Sequence, residues 1–191
     1  MLQHIIPSKV RRKILELFYQ HPHNSYYLRK IVRDILEEVN AVKRELDILS
    51  EEKLLHKEKR LNKIFYTLNK SYLFYDEFFR IFTKTSLLPG QIFKNSPKLG
   101  KIKFCVLSMK FAKQLDIKED EIYLLMIGII VVPEMTLIIS SAEKEFGREI
   151  NYTVMTEEEF SFRKKNNDPF IWRFLKQPKI MLIGNEDDLL K

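Results

Sequence analysis

The sequence predicts an α+β chain in two parts, an N-terminal domain of three helices and a β-hairpin and a small C-terminal α/β domain. Three observations predict it. Apolar residues recur at helical spacing in three separate segments before residue 52, and two strand-like stretches around a basic turn follow at once. From about residue 98 strand-like and helical segments alternate. The charge divides along the same line: residues 1–70 hold 15 Lys/Arg against 9 Asp/Glu, and residues 71–191 hold 18 against 17. Nearly all of the net charge of +7 is therefore N-terminal, which points to a polyanion-binding module joined to a neutral one. A basic, merely solvated surface is the alternative that charge alone leaves open.

Ser8 is placed to cap a first helix with Val10, Ile14, Leu17 and Phe18 on its apolar stripe, Arg11, Arg12 and Lys13 on other faces, and an end near His21-Pro22. Ser25 is expected to cap a second, carrying Leu28, Ile31, Val32 and Ile35. A third runs from about Glu38 to Glu51 around Val42, Leu46 and Leu49. Leu54–Glu58 and Ile64–Leu68 read as strands, with Lys59-Arg60-Leu61-Asn62-Lys63 between them as a basic tip. Helix, helix, helix, basic hairpin is the order of a winged helix, whose third helix enters the major groove while the hairpin touches the flanking backbone. At about 100° per residue, the third helix turns Val42, Leu46 and Leu49 inward and Asn40, Lys43, Arg44 and Asp47 outward. Asn40, Ala41, Lys43 and Arg44 are thus the expected reading residues. Arg44 suits a bidentate contact to guanine, Asn40 to adenine, and Lys43 either guanine or phosphate. Lys59, Arg60 and Lys63 suit phosphate or the minor groove. Asp47 and Glu51 place negative charge towards the far end of the same face.

The run from Glu37 to Leu49, followed by Leu54-Leu55 and closed by Tyr66-Thr67-Leu68-Asn69, resembles ArsR-type winged-helix regulators over residues 8–70. That resemblance implies a transcriptional regulator working on double-stranded DNA as a homodimer. Metal-sensing members of the group use cysteine or histidine clusters; these are absent here, so metal sensing is not carried over.

Residues 71–97 are expected to be a connector. Tyr72–Phe82 is aromatic-rich with helical period, for core or dimer packing, and Leu88-Pro89-Gly90 and Ser96-Pro97 carry turn signals around a short helix. Residues 98–191 then give a strand at Ile102–Leu107, a buried strand at Ile122–Ile127 and a helix opened by Pro133 and stopped at Gly147. A strand at Glu149–Met155 follows, then a helix capped by Thr156 with Glu159 and another begun by Asp168-Pro169. The last strand is Lys179–Ile183, before a short tail helix capped by Asn185.

The stretch Phe146–Phe160, with Asp168-Pro169-Phe170 and Pro178–Gly184 behind it, is similar to minimal nucleotidyltransferase-like domains of the polymerase beta superfamily. Active members carry Gly-Ser at the end of the first strand and Asp-x-Asp on the next, because carboxylates hold the magnesium ions that bridge a triphosphate. On that pattern Leu107-Ser108 stands at Gly-Ser and Glu121-Ile122-Tyr123 at Asp-x-Asp. Leu107 removes the glycine and Tyr123 one ligand; Glu121 could still ligate a metal and Glu149 could supply another acid, but Asn151 and Thr153 add none. The resemblance therefore implies an inactive domain that serves as scaffold, dimeriser or sensor of a small-molecule or nucleotide effector. No catalytic residue, metal or cofactor is expected.

Other classes find little support. Cys105 is the only cysteine, which excludes an intrachain disulfide and a thiolate metal cluster. His21 and His23 read as turn residues, Trp172 as part of a core helix, and the five glycines form no phosphate loop. No apolar run reaches the roughly 18 residues of a membrane span, and Met1–Pro7 does not open a secretory signal, so a cytoplasmic protein is expected. Two alternatives stay open: a residual nucleotidyltransferase, as in an antitoxin-type enzyme, and a protein-interaction module.

Overall fold

The computed structural model describes residues 2–115 and 121–191. The chain is α+β and divides into two compact units, residues 1–86 and 87–191.

The first unit begins with a 3-10 turn at Leu2–His4 and then α1 (Lys9–Gln20), whose N-cap Ser8 accepts from the Arg11 amide. A three-residue strand β1 (Ser25–Tyr27) precedes α2 (Leu28–Ile35), α3 (Val39–Glu51), β2 (Leu55–Arg60), β3 (Lys63–Leu68) and α4 (Tyr75–Thr85). The strands form one antiparallel sheet in the order β1-β3-β2. Ser25 is therefore not a helix cap, as its sequence context suggests. Its backbone is committed to a ladder opposite Thr67, Tyr26 is buried and Tyr27 faces outward, and α2 starts three residues later without a side-chain cap. Pairing with β3 has overridden the local capping preference of serine.

α1 buries Ile14, Leu15, Phe18 and Tyr19, a wider stripe than its sequence suggests, because it packs on two sides. One contact is α4: Tyr19 stacks on Phe82 with ring centroids 5.2 Å apart. Tyr75, Phe79 and Phe82 of α4 are buried, and each such ring contributes roughly 1.5–3 kcal/mol by leaving water. The aromatic helix is thus core of the first unit rather than part of a separate connector, and the expected 71–97 segment divides between the two units.

The second unit opens with α5 (Leu87–Asn95), which runs through Leu88-Pro89-Gly90 instead of breaking there. Pro89 lies in the first turn, where a missing N–H costs nothing. After a 3-10 turn at Ser96–Lys98 come β4 (Gly100–Ser108), α6 (Met109–Ala112), β5 (Leu124–Ile130), α7 (Val132–Phe146), β6 (Tyr152–Met155), α8 (Glu157–Lys165), α9 (Pro169–Lys176), β7 (Lys179–Ile183) and α10 (Glu186–Leu190). The sheet order is β6-β5-β4-β7, with β4 antiparallel to β5 and β7, and β5 parallel to β6. β4 bulges between Ile102 and Phe104, opposite Gly128. A Cβ on Gly128 would lie 2.2 Å from the Lys101 carbonyl oxygen, so only glycine fits there. Among the described residues, no helix is long and apolar enough to cross a membrane.

Candidate nucleic-acid interface

α3 is fixed from behind by α1. Ser8 donates to Glu45 Oε1 at 2.6 Å and Arg11 Nε donates to Glu45 Oε2 at 2.7 Å. Lys13 Nζ donates both to the Ile35 carbonyl, at 2.7 Å, and to Glu37 Oε1, at 2.6 Å, and Lys9 reaches the same Glu37 oxygen. These contacts clamp the turn between α2 and α3, where Leu36 adopts φ 52°. The two lysines, hydrogen-bonded to the Glu37 carboxylate, hold its pKa below the ordinary value. Much of the basic charge of α1 is thus spent inside the unit: Lys9, Arg11 and Lys13 face carboxylates, and Arg12 donates to the Ile6 and Pro7 carbonyls.

With Val42, Leu46 and Leu49 buried, the opposite face of α3 is open. Asn40, Lys43 and Arg44 are exposed, Ala41 is half-buried, and among the described residues no carboxylate pairs with Lys43 or Arg44. The first turn differs from the sequence expectation in one respect. Glu38 is the N-cap, and its Oε2 accepts from the amides of Asn40 and Ala41 at 2.7 and 3.0 Å. A carboxylate therefore occupies the helix N-terminus, where it is stabilised by the helix dipole. The Asn40 and Ala41 amides are therefore taken, and what this turn presents to solvent is the side chains of Asn40 and Arg44.

The hairpin is tighter than its sequence suggests. The strands extend to Arg60 and from Lys63, leaving a two-residue turn, Leu61-Asn62, with Leu61 at φ 51°. Lys59, Arg60 and Lys63 are consequently strand residues with fixed sides, not members of one loose tip. The register pairs Leu55 with Leu68, Lys57 with Tyr66 and Lys59 with Ile64, so these six share one face. That face begins on the buried Leu55, Tyr66 and Leu68 and runs out to Lys57 and Lys59. Lys57 Nζ lies 3.9 Å from Asp47 of α3, which ties this side of the hairpin to the outer stripe of the helix. Lys59 has no carboxylate partner among the described residues.

Arg60 and Lys63 oppose each other on the other face. Arg60 makes a two-pronged contact to Glu58, at 2.7 and 2.9 Å, and its guanidinium stands 5.3 Å from the Phe65 ring centroid. Lys63 Nζ stands 4.5 Å over Tyr27, whose ring meets Phe65 edge to face at 5.8 Å. The charge of Arg60 is therefore largely balanced within the hairpin, whereas Lys63 keeps a whole charge above an aromatic platform.

Two further cations lie where sequence reasoning placed none. Arg29 and Arg33 are exposed one turn apart on α2, opposite its buried Ile31 and Ile35, and neither has a carboxylate partner among the described residues. Their i, i+4 spacing is the signal that was available, since the helix before a reading helix crosses the DNA backbone.

In the second unit the four positions expected to be degenerate converge on one end of the sheet. Leu107 is fully buried in β4, between Leu124 and Ile180. Ser108 is also buried; its amide donates to the Tyr123 carbonyl at 2.8 Å, and its Oγ accepts from the Lys110 amide. Glu121 is nearly enclosed, and Lys110 Nζ donates to both of its carboxylate oxygens, at 2.7 and 2.8 Å, while Gln177 Nε2 donates to Oε1 at 3.2 Å. Tyr123 is buried with its ring edge-to-face on Phe111 and the Arg148 guanidinium 5.0 Å away. The arrangement is a packed corner in which the Glu121 carboxylate is already engaged by Lys110. Among the described residues no group of three or more His, Cys, Asp or Glu side chains is placed to hold a metal ion. Glu149 lies outside β6, which starts only at Tyr152.

No family model matches this chain, and neither a curated protein nor a solved structure matches it.

Proposed function

We propose that the first unit is a winged helix that binds double-stranded DNA, that α3 enters the major groove, and that the protein regulates transcription. One observation carries this reading. Among the described residues the exposed Lys43 and Arg44 have no carboxylate partner, and the Lys57–Asp47 contact joins their helix to the side of the hairpin that carries Lys59, which has none there either. Positive groups on the helix and the hairpin are thereby linked into one basic surface, the geometry needed to follow a groove and its flanking phosphates. The element order α1-β1-α2-α3-β2-β3 supports it as well. Arg44 and Asn40 read base edges, Lys43 and Lys59 hold phosphates, Lys63 adds charge at the wing tip, and Arg29 and Arg33 approach the backbone beside α3.

The second unit serves as scaffold, dimeriser or effector sensor, with a nucleotidyltransferase-like corner that does no chemistry. The Lys110 ammonium already neutralises the Glu121 carboxylate, and a buried tyrosine stands where a second ligand is needed. A homodimer doubles the short half-site one winged helix covers. Fluorescence anisotropy tests the reading, with DNA from upstream of the protein's own gene against a scrambled duplex over a salt series. A preference of at least tenfold, and an affinity falling steeply with salt, are expected. Equal binding to both duplexes and to an unrelated polyanion would remove the DNA-reading role.

A further inference from the structure

A cleft of about 390 Å³ opens in the second unit, bounded by residues of β4, β5, α8, α9 and α10. Its floor is apolar. Phe104, Ile127, Phe160 and Leu189 belong to the main core cluster of this unit, and Trp172 packs against that cluster. The volume lies in the usual range for small-molecule sites, which are mostly apolar with a few polar groups that fix orientation.

The cleft's charge has one sign once its internal pairs are counted. Lys103, Lys164, Lys165 and Lys191 line it against Glu157 and Asp188. Lys103 holds Glu157 at 2.5 Å and Lys191 holds Asp188 at 2.7 Å, so both acids are neutralised on the spot. Lys164 and Lys165 remain. Lys164 Nζ donates to the Leu189 carbonyl at 3.0 Å and stands 5.8 Å from the Phe160 ring, and Lys165 is exposed without a carboxylate partner among the described residues. The shape is also built in. Gly184, at φ 81°, lies against Phe104, and a Cβ there would come within 2.4 Å of the ring and 2.8 Å of the Lys103 carbonyl. Glycine at the end of β7 thus lets the Phe104 ring take its place in the floor. Trp172 is fixed too, its Nε1–H donating to the Lys164 carbonyl at 3.1 Å.

From this geometry we infer that the cleft binds a small aromatic anion, its flat apolar body between Phe104, Phe160 and Trp172 and its carboxylate, sulfonate or phosphate at Lys164 and Lys165. Four lysines against two carboxylates disfavour a cation, and the apolar floor disfavours a bare inorganic anion, which would gain nothing from it. The ligand chemistry does not depend on what the first unit binds.

Trp172 is the only tryptophan in the chain, so it reports on this wall directly. Full-length protein is titrated with 8-anilinonaphthalene-1-sulfonate and, separately, with its neutral counterpart N-phenyl-1-naphthylamine, and dye emission sensitised by tryptophan is followed. One sulfonate dye per chain is expected, with affinity on the order of tenfold above the neutral dye. Lys164→Gln combined with Lys165→Glu is expected to erase that preference. Ser161→Phe, at an exposed position lining the cleft, is expected to block both dyes while the unfolding temperature stays the same. Equal affinity for the two dyes, no tryptophan-sensitised emission, or sulfonate binding unchanged in either variant would overturn the assignment.

Discussion

Replacing Arg44 with alanine separates reading from mere attraction. Arg44 is exposed on α3 and makes no ion pair, so the fold loses nothing beyond about 0.5 kcal/mol, the usual range for a surface change. On the preferred duplex the variant loses a bidentate base contact of about 1–3 kcal/mol, roughly 5- to 150-fold in affinity. On scrambled duplex it loses one positive charge. The salt slope then falls by about 0.9, which amounts to roughly 3.5-fold between 50 and 200 mM salt. The assay is anisotropy with both duplexes at each salt concentration, with thermal unfolding as the check on the fold. A loss that is the same on both duplexes would refute base reading by Arg44, whatever its size.

The hairpin faces predict unequal effects for its three cations. Lys59→Ala should weaken binding to all duplexes and flatten the salt slope by about 0.9, Arg60→Ala should do less because Glu58 balances it, and Glu58→Gln should strengthen binding, all read by the same titrations. The Glu37 carboxylate, held by Lys13 and Lys9, has a folded pKa below 4.5, so the stability it contributes is present above that value and is lost as the pH falls through the lowered one. Urea midpoints measured from pH 6 down to pH 3 should fall less steeply for Glu37→Gln; an identical pH dependence would count against the clamp. Cys105 is fully buried and its thiol is pushed up to about 12, so iodoacetamide at pH 8 should label it only in denaturant. Lys110→Met removes the main cation from the enclosed Glu121 and should cost about 1–3 kcal/mol, with Glu121→Gln in the same chain recovering part of it; strict additivity in a double-mutant cycle would show that the pair is not coupled.

What the sequence made legible follows from how local each signal is. Ser8, Thr156, Asp168 and Asn185 cap the helices expected of them, because a cap is made between residues two or three apart. The bounds of β7 were readable because a short apolar run stands between turn residues. β1 was not readable: three residues become a strand only through a partner some forty positions away. Nor was the sidedness of Lys59, Arg60 and Lys63, since moving the turn by one residue exchanges the faces of a strand. Leu107, Ser108, Glu121 and Tyr123 meet at one end of the sheet, but the ammonium that occupies Glu121 comes from Lys110, to which the sequence pattern gave no role. The cleft beside Trp172 left no trace in the sequence, because its walls come from five elements.

The two kinds of positive charge in the first unit also respond differently to salt. Arg11 and Lys13 are held at 2.7 and 2.6 Å by carboxylates that are largely shielded from water, so added ions screen these pairs less than fully exposed charges. Lys43, Arg44, Lys59, Arg29 and Arg33 face solvent without a carboxylate partner among the described residues, and any attraction they have to a polyanion weakens as counterions compete. Here the carboxylates go to α1 and to the α2–α3 turn, where they hold α3 in place, and are withheld from Lys43, Arg44 and Lys59 on the outer side of that helix and its neighbouring hairpin. If the first unit binds DNA as proposed, salt sufficient to release it should leave the unit folded, because the pairs that position α3 are not the charges assigned to binding.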